Sequence, residues 1–147
     1  MTTVRPARAS DASSLAGLTA QLGYPTTADE IAGRLAGVLA DKAAALLVAA
    51  DEAGTPVGWI HVYVKRVLER PASVLVGGLV VDERHRSHGV GLQLLEAGEA
   101  WAREQGVTSV TLYSRQTRTR AHRFYQRHGY RISKESFFLE KDLPTEG

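Results

Sequence analysis

Apolar positions along the chain follow two periods, and the alternation between them predicts the element order. Val4 to Ala7 reads as a short edge strand, because Pro6 withholds one ladder donor. Ser10 or Asp11 can cap a helix in which Leu15, Leu18 and Leu22 fall at helical spacing. Gly23 to Thr27 breaks that pattern, and Thr27 or Asp29 starts a second helix with Ile31, Leu35, Val38 and Leu39 along one side. Three strand patterns follow. Leu46 to Ala50 is a short apolar run, and Asp51 to Thr55 is a hairpin turn with Gly54 at the position that needs a positive φ. Pro56 to Val64 carries Trp59, Ile60, Val62 and Tyr63, a strand-rich set. After a connection from Val67 to Ala72, Ser73 to Val81 forms the third strand. Its Gly77-Gly78 pair marks a bulge or a close backbone approach.

Helical and extended periods then alternate. Leu92 to Gln105 is a helix with Leu94, Leu95, Ala97, Gly98 and Trp101 on a sheet-facing side, ended by Gly106. Val107 to Tyr113 is a strand. Thr119 to His128 is a helix with Ala121, Phe124, Tyr125 and His128 on one stripe, ended by Gly129, and Ile132 to Leu139 is a final strand. The order is βααβββαβαβ: a single α/β domain over residues 1–147, with a mixed sheet and flanking helices.

Composition narrows the class. With 147 residues, 44% hydrophobic and 23% charged, the chain suffices for one core and is not disordered. No apolar run approaches the roughly 20 residues of a membrane helix. The N-terminal MTTVRPARASDASSLAG has no apolar block, so it does not read as a signal peptide, and a cytoplasmic protein without membrane association is the simplest expectation. The absence of cysteine removes disulfides, thiolate metal sites and cysteine nucleophiles, and no metal is expected. Net charge is only +2, but 14 of the 18 basic residues are arginine. Between Gln105 and Lys134 no acid interrupts Arg115, Arg118, Arg120, Arg123, Arg127 and Arg131, a run that suits a polyanion such as nucleic acid or a phosphorylated cofactor, or a solvated basic face.

The most specific chemistry lies between the third strand and the helix after it. Arg86-Ser87-His88-Gly89-Val90-Gly91 joins the two, and Leu92 opens the helix. The first amides of a helix lack intrahelical partners and sit at the positive end of its dipole, so such a turn can hold a phosphate. Gly89 and Gly91 let the backbone approach the anion, and Arg86 adds a fixed charge. The dinucleotide fingerprint fails because position 94 is Leu, and no Walker lysine is present.

The run Val81-Asp82-Glu83-Arg84-His85-Arg86-Ser87-His88-Gly89-Val90-Gly91 fits the pattern Val-x-x-x-x-[RQ]-x-x-G-x-[GA]. About 30 residues on, Ala121-His122-Arg123-Phe124-Tyr125-Gln126-Arg127-His128-Gly129-Tyr130 matches A-x-x-[FL]-Y-x-x-x-G-[FY]. With the element order, these two motifs resemble the GNAT superfamily of acyl-CoA-dependent N-acyltransferases over nearly the whole chain.

That resemblance implies a mostly antiparallel sheet with a splayed central strand pair. It implies that acetyl-CoA, or coenzyme A, is the co-substrate. Backbone groups of Leu79, Val80 and Val81 would meet the pantetheine arm as an added pseudo-strand, and the amides of residues 86–91 would hold the pyrophosphate. Tyr125 matches the tyrosine that protonates the departing thiolate, a role suited to a phenol still protonated at pH 7. Two departures stand out. Many members carry a glutamate base on the third strand, and 73–81 has no acid. His61, Tyr63, Glu69, His122 or a water remain as candidates. Many also carry an asparagine near position 114, where Ser114 can substitute through its hydroxyl. Any of the arginines from 115 to 127 can reach the CoA 3′-phosphate.

The expected function is direct acetyl transfer from acetyl-CoA to a primary amine of a small molecule or peptide, without an acyl-enzyme. A non-catalytic acyl-CoA-binding regulatory module is the alternative, motivated by the missing strand carboxylate. A nucleic-acid binder using the arginine-rich region is the third reading, and no specific nucleic acid partner is expected. The sequence leaves open the amine acceptor and the choice between monomer and homodimer.

Overall fold

The computed structural model describes residues 1–145. It divides into two compact units, Met1–Tyr113 and the chain from Ser114 onward. In the first, five strands form one sheet in the order β1 (Thr3–Pro6), β2 (Ala44–Ala50), β3 (Pro56–Lys65), β4 (Ser73–Val81) and β5 (Val110–Leu112). The first four are antiparallel in sequence, and β5 joins β4 in parallel. The first unit also holds the helices α1 (Ala12–Gln21), α2 (Ala28–Ala40) and α3 (Val90–Glu104).

Strand β3 shows how the sheet sorts its side chains. Ile60 and Val62 are fully buried and pack against Gly98 of α3, where a Cβ would lie 3.0 Å from Ile60 Cδ1 and 3.2 Å from Val62 Cγ1. Glycine at 98 therefore sets how closely α3 approaches the sheet. The alternate residues of β3 face the other way. Trp59 packs there on a cluster of Ala7, Leu15, Leu35 and Val48, with Ile31 and Leu46 at its margin. Helices α1 and α2 thus cover one face of the sheet and α3 the other.

Local signals explain most boundaries. Thr27 starts α2 through a capping box, its hydroxyl accepting from the Glu30 amide while Glu30 accepts from the Thr27 amide. Asp11 precedes α1, its carboxylate accepting from the Arg8 amide at 2.8 Å and from both terminal nitrogens of Arg5 at 2.9 and 3.0 Å. The Arg5 guanidinium is the main reason Asp11 holds its carboxyl below the usual range. Gly54, Gly106 and Gly129 all take positive φ at the turns expected of them.

Several expectations need correction. Helix α3 opens at Val90 rather than Leu92, because Gly89 already supplies the left-handed turn at φ 78°. Strand β5 is three residues, not seven, since only Val110–Leu112 finds a ladder on β4. Leu39, placed on the apolar side of α2, is 41% exposed. The expected strand over 132–139 does not form. The segment has no ladder partner among the described residues, and Ile132, Phe137, Phe138 and Leu139 are exposed. A β pattern becomes a strand only when a second edge is there to pair with it.

The second unit contains α4 (Thr119–Arg127). Phe124 meets the rings of Tyr125 and His128 edge-on, and Tyr125 meets Tyr130 likewise, with centroids 5.0–5.7 Å apart. Arg120, Arg123 and Arg127 are exposed. No helix among the described residues is long and apolar enough to cross a membrane.

Candidate active site

Strand β4 changes character halfway along. Up to Val76 it is paired on both sides; the parallel ladder to β5 ends at Val76–Leu112. From Gly78 to Val81 only the β3 side is paired, so the other edge of Leu79, Val80 and Val81 carries backbone groups without a strand neighbour among the described residues. The break coincides with a bulge: His61 pairs with Gly78 and Val62 with Val76, leaving Gly77 as the extra residue.

The two glycines make room for rings from β3. A Cβ on Gly78 would lie 2.6 Å from Trp59 Cη2. A Cβ on Gly77 would lie 3.0 Å from His61 Nδ1 and 3.1 Å from Tyr63 Cε1. His61 and Tyr63 are themselves in contact, with centroids 5.5 Å apart. The imidazole therefore lies over the bulge, at the point where β4 parts from β5.

Beyond Val81 the chain turns through Asp82 into a single 3₁₀ turn, Glu83–His85. Asp82 is buried and accepts from the Arg84 amide and guanidinium, and Arg84 is the principal cause of its lowered pKa. Gln21 of α1 accepts from the Glu83 amide at 2.9 Å. These contacts shape the turn ahead of the loop. Arg86, Ser87, His88 and Gly89 are exposed, and both Ser87 and Gly89 take positive φ, 70° and 78°. No side chain caps α3 at Gly89. The helix's first ladder bond runs from the Gln93 amide to the Gly89 carbonyl, which leaves the amides of Val90, Gly91 and Leu92 without an intrahelical acceptor. An exposed, uncapped N-terminus entered through two left-handed residues suits an anion, and it fits the pyrophosphate of CoA.

A groove of about 520 Å³ lies on the other side of the bulge, between α2 and β3, lined by Arg34, Gly37, Val38, Asp41, His61 and Tyr63. A second pocket of about 180 Å³ shares Arg34, Val38 and His61 and reaches Leu15, Leu35 and Trp59. Burial lowers the pKa of His61, and the charge of Asp41 pulls the other way. The net direction keeps the imidazole neutral at physiological pH. Arg34 and Asp41 from the α2 segment and Tyr63 from β3 are the ionisable groups lining the groove with His61.

The candidate bases separate on this geometry. His61 and Tyr63 line the groove, whereas Glu69 is exposed in the connection between β3 and β4. In the second unit, His122 donates from Nε2 to the Arg115 carbonyl at 2.8 Å. Burial raises the Tyr125 phenol above its ordinary value, so it stays protonated. The Ser114 hydroxyl is buried and has no hydrogen-bond partner, as is Trp59 Nε1 in the first unit. Among the described residues no group of three or more His, Asp or Glu could hold a metal ion. Sequence reasoning missed Arg34, Asp41 and Gln21, because nothing local marks them; each matters only once α1 and α2 cross β3 and the 82–89 turn.

The family model described as "Acetyltransferase (GNAT) family" matches residues 16–130, most of the chain. The mycothiol acetyltransferase of Propionibacterium freudenreichii is 39% identical over 107 residues, covering 72% of this chain and 33% of that protein. The aminoglycoside N(6′)-acetyltransferase type 1 of Stenotrophomonas maltophilia is 30% identical over 146 residues, covering 96% of this chain and 94% of that one. Among solved structures, AAC(6′)-Iy in complex with the bisubstrate analogue CoA-S-monomethyl-acetylneamine superposes with a TM-score of 0.84 at 19% identity, over 97% of this chain and 99% of that one. The chain spans 33%, 56% and 62% of the length of the first curated relatives it matches. The family match over residues 16–130, the sheet that parts at Gly77 and the uncapped loop at Gly89 agree: this chain belongs to the GNAT acetyltransferase family.

Proposed function

We propose that the protein is an acetyl-CoA-dependent N-acetyltransferase acting on a primary amine of a small molecule, with direct transfer and no acyl-enzyme. The observation that carries this is the free edge of β4 running straight into the exposed, uncapped N-terminus of α3. An extended arm of amides pairs with Leu79, Val80 and Val81, and its pyrophosphate rests on the amides of residues 86–91, beside Arg86. At position 114, where members of the family often carry an asparagine for the pantetheine arm, Ser114 supplies a hydroxyl. The acetyltransferases similar to this chain and the CoA analogue bound by a protein of this fold support the same reading.

The amine occupies the groove between α2 and β3, where His61 takes the place of the strand carboxylate. The substrate ammonium passes a proton to the neutral His61 imidazole. The freed lone pair attacks the thioester carbon, the C–N bond forms and the C–S bond breaks. The departing thiolate takes a proton from Tyr125, a role that rests on its motif and its retained proton. Tyr125 regains a proton from the new amide nitrogen through solvent, and the imidazolium releases its own to water, so the turnover yields amide, CoA thiol and one proton. A backbone amide beside the carbonyl would stabilise the oxyanion as it forms.

The test is acetyl-CoA consumption over a panel of amines. Tyr125→Phe keeps the ring and its contacts but removes the donor; kcat is expected to fall about 10²-fold with acetyl-CoA binding retained. In the native enzyme the rate rises with pH through a limb whose midpoint lies below the ordinary imidazole value, because the base must be neutral and burial lowers its pKa. His61→Gln is expected to remove that limb. Full kcat in Tyr125→Phe would end the acid assignment, and an unchanged limb in His61→Gln would end the base assignment. A regulatory module that binds CoA without turnover would show no consumption with any amine. The nucleic-acid reading loses ground because Phe124 and Tyr125 are engaged with His128 and Tyr130 rather than displayed for stacking on bases.

A further inference from the structure

The groove between α2 and β3 carries one charge of each sign on an otherwise apolar wall. Asp41 is the C-cap of α2, at the negative end of that helix, and one carboxylate oxygen accepts from the Ala43 amide at 2.9 Å. A carboxylate offers about four lone-pair sites, so it retains capacity for an ammonium. The helix C-terminus reinforces its attraction for a cation. Its charge is felt at His61, the proposed proton acceptor. Arg34 stands two turns earlier on the same helix and lines the same groove. Among the described residues its ion pair is a loose one to Glu30 at 3.7 Å, with both side chains more than half exposed. Glu30 is already committed to capping Thr27. A guanidinium has five donors, and this contact uses few of them.

From these positions we infer that the acceptor is a small zwitterion, its ammonium held at Asp41 beside His61 and its carboxylate read by Arg34. The inference rests on the acetyltransferase reading and names the substrate class of that site. Positions 34 and 41 are seven residues apart, about 10 Å along a helix. The two charges of the substrate must therefore be several bonds apart, as in an ω-amino acid. An α-amino acid presenting its own α-ammonium brings the charges too close together to reach both groups. Polyamines and other polycations are disfavoured, because the second ammonium meets Arg34. The apolar stretch between the charges faces Gly37, Val38 and Tyr63.

The experiment compares kcat/KM for 6-aminohexanoate, hexylamine, 1,6-diaminohexane and alanine with the native protein, Arg34→Ala and Asp41→Asn. Both variants change exposed residues of one helix face, and circular dichroism with a CoA thermal shift confirms that they fold and bind the co-substrate. In the native protein 6-aminohexanoate is expected to exceed hexylamine about tenfold, the scale of one hydrogen bond to a charged group. It should exceed 1,6-diaminohexane and alanine by more. Arg34→Ala is expected to collapse the preference over hexylamine toward unity, mainly through a higher KM for 6-aminohexanoate. Asp41→Asn should raise KM for 6-aminohexanoate and hexylamine alike. A native enzyme that prefers the diamine, or an Arg34→Ala variant that lowers all amines by one factor, would overturn the inference while leaving the acetyltransferase reading intact. So would acetylation confined to amines outside this set. No acetyl-CoA turnover with any amine would instead defeat the reading beneath it.

Discussion

At the scale of single residues, the sequence showed which chemistries are present but not which side chains meet. His61 stood among the candidate bases because its type and strand suggested it; its placement over Gly77 came from the bulge. Arg34 and Asp41 carried no signal, since their meaning depends on α2 lying across β3. The Arg5–Asp11 pair was equally silent, although it is the best-buried ion pair among the described residues, with side chains 17% and 7% exposed. Asp11→Asn leaves Arg5 without its partner, and the expected cost is about 2 to 3 kcal/mol at pH 7. The sign of the pH effect follows from the lowered pKa of Asp11. The unfolded carboxylate binds protons more readily than the folded one, so the pair's contribution is fully present above the ordinary carboxylate value. It fades as pH falls through the lower folded value. The gap between thermal melts of the two proteins should narrow as pH falls from 7 to 3; a gap that stays constant would show that Asp11 acts by shape rather than charge.

At the scale of elements, legibility depended on whether a signal was local. The Thr27 capping box, the Gly54 turn and the Gly106 and Gly129 helix ends are decided within a few residues, and all were readable. The Gly77-Gly78 pair marked the bulge for the same reason. The segment 132–139 was misread because its β composition says nothing about whether an edge is available, and β5 was overlong in expectation for the same cause. The bulge gives a sharp prediction. A methyl at position 78 would meet Trp59 at 2.6 and 2.7 Å, and the indole is held by the cluster under α1 and α2. Gly78→Ala should cost about 1 to 3 kcal/mol by overpacking, read as a lower urea midpoint with an unchanged slope. A variant as stable as the native protein would mean that Trp59 is free to move, and that the glycine is not there to seat it.

At the scale of the whole molecule, the order of elements was legible almost to the end, because strand and helix periods alternate cleanly and Gly or Pro punctuates most changes. Order placed the 86–91 loop between β4 and α3 and indicated a mixed sheet; the mostly antiparallel pairing was what the family resemblance implied, and the parallel seat of β5 beside β4 came from the structure. What order does not give is which side chains α2 and β3 draw together at the groove proposed for the acceptor. We propose that the loop at the start of α3 holds the pyrophosphate of acetyl-CoA, and titrating CoA into the native protein and into Gly89→Glu while following the melting temperature reads this out. In the native chain, CoA at 100 times its Kd should stabilise by about 2.7 kcal/mol. Gly89 takes φ 78°, and a Cβ there would have no neighbour within 4 Å, so a glutamate fits the space but strains the turn and sets a like charge beside the anion. A clear CoA-dependent rise is expected for the native protein and none for a folded Gly89→Glu; equal rises in both, or no rise in the native protein at millimolar CoA, would contradict the claim.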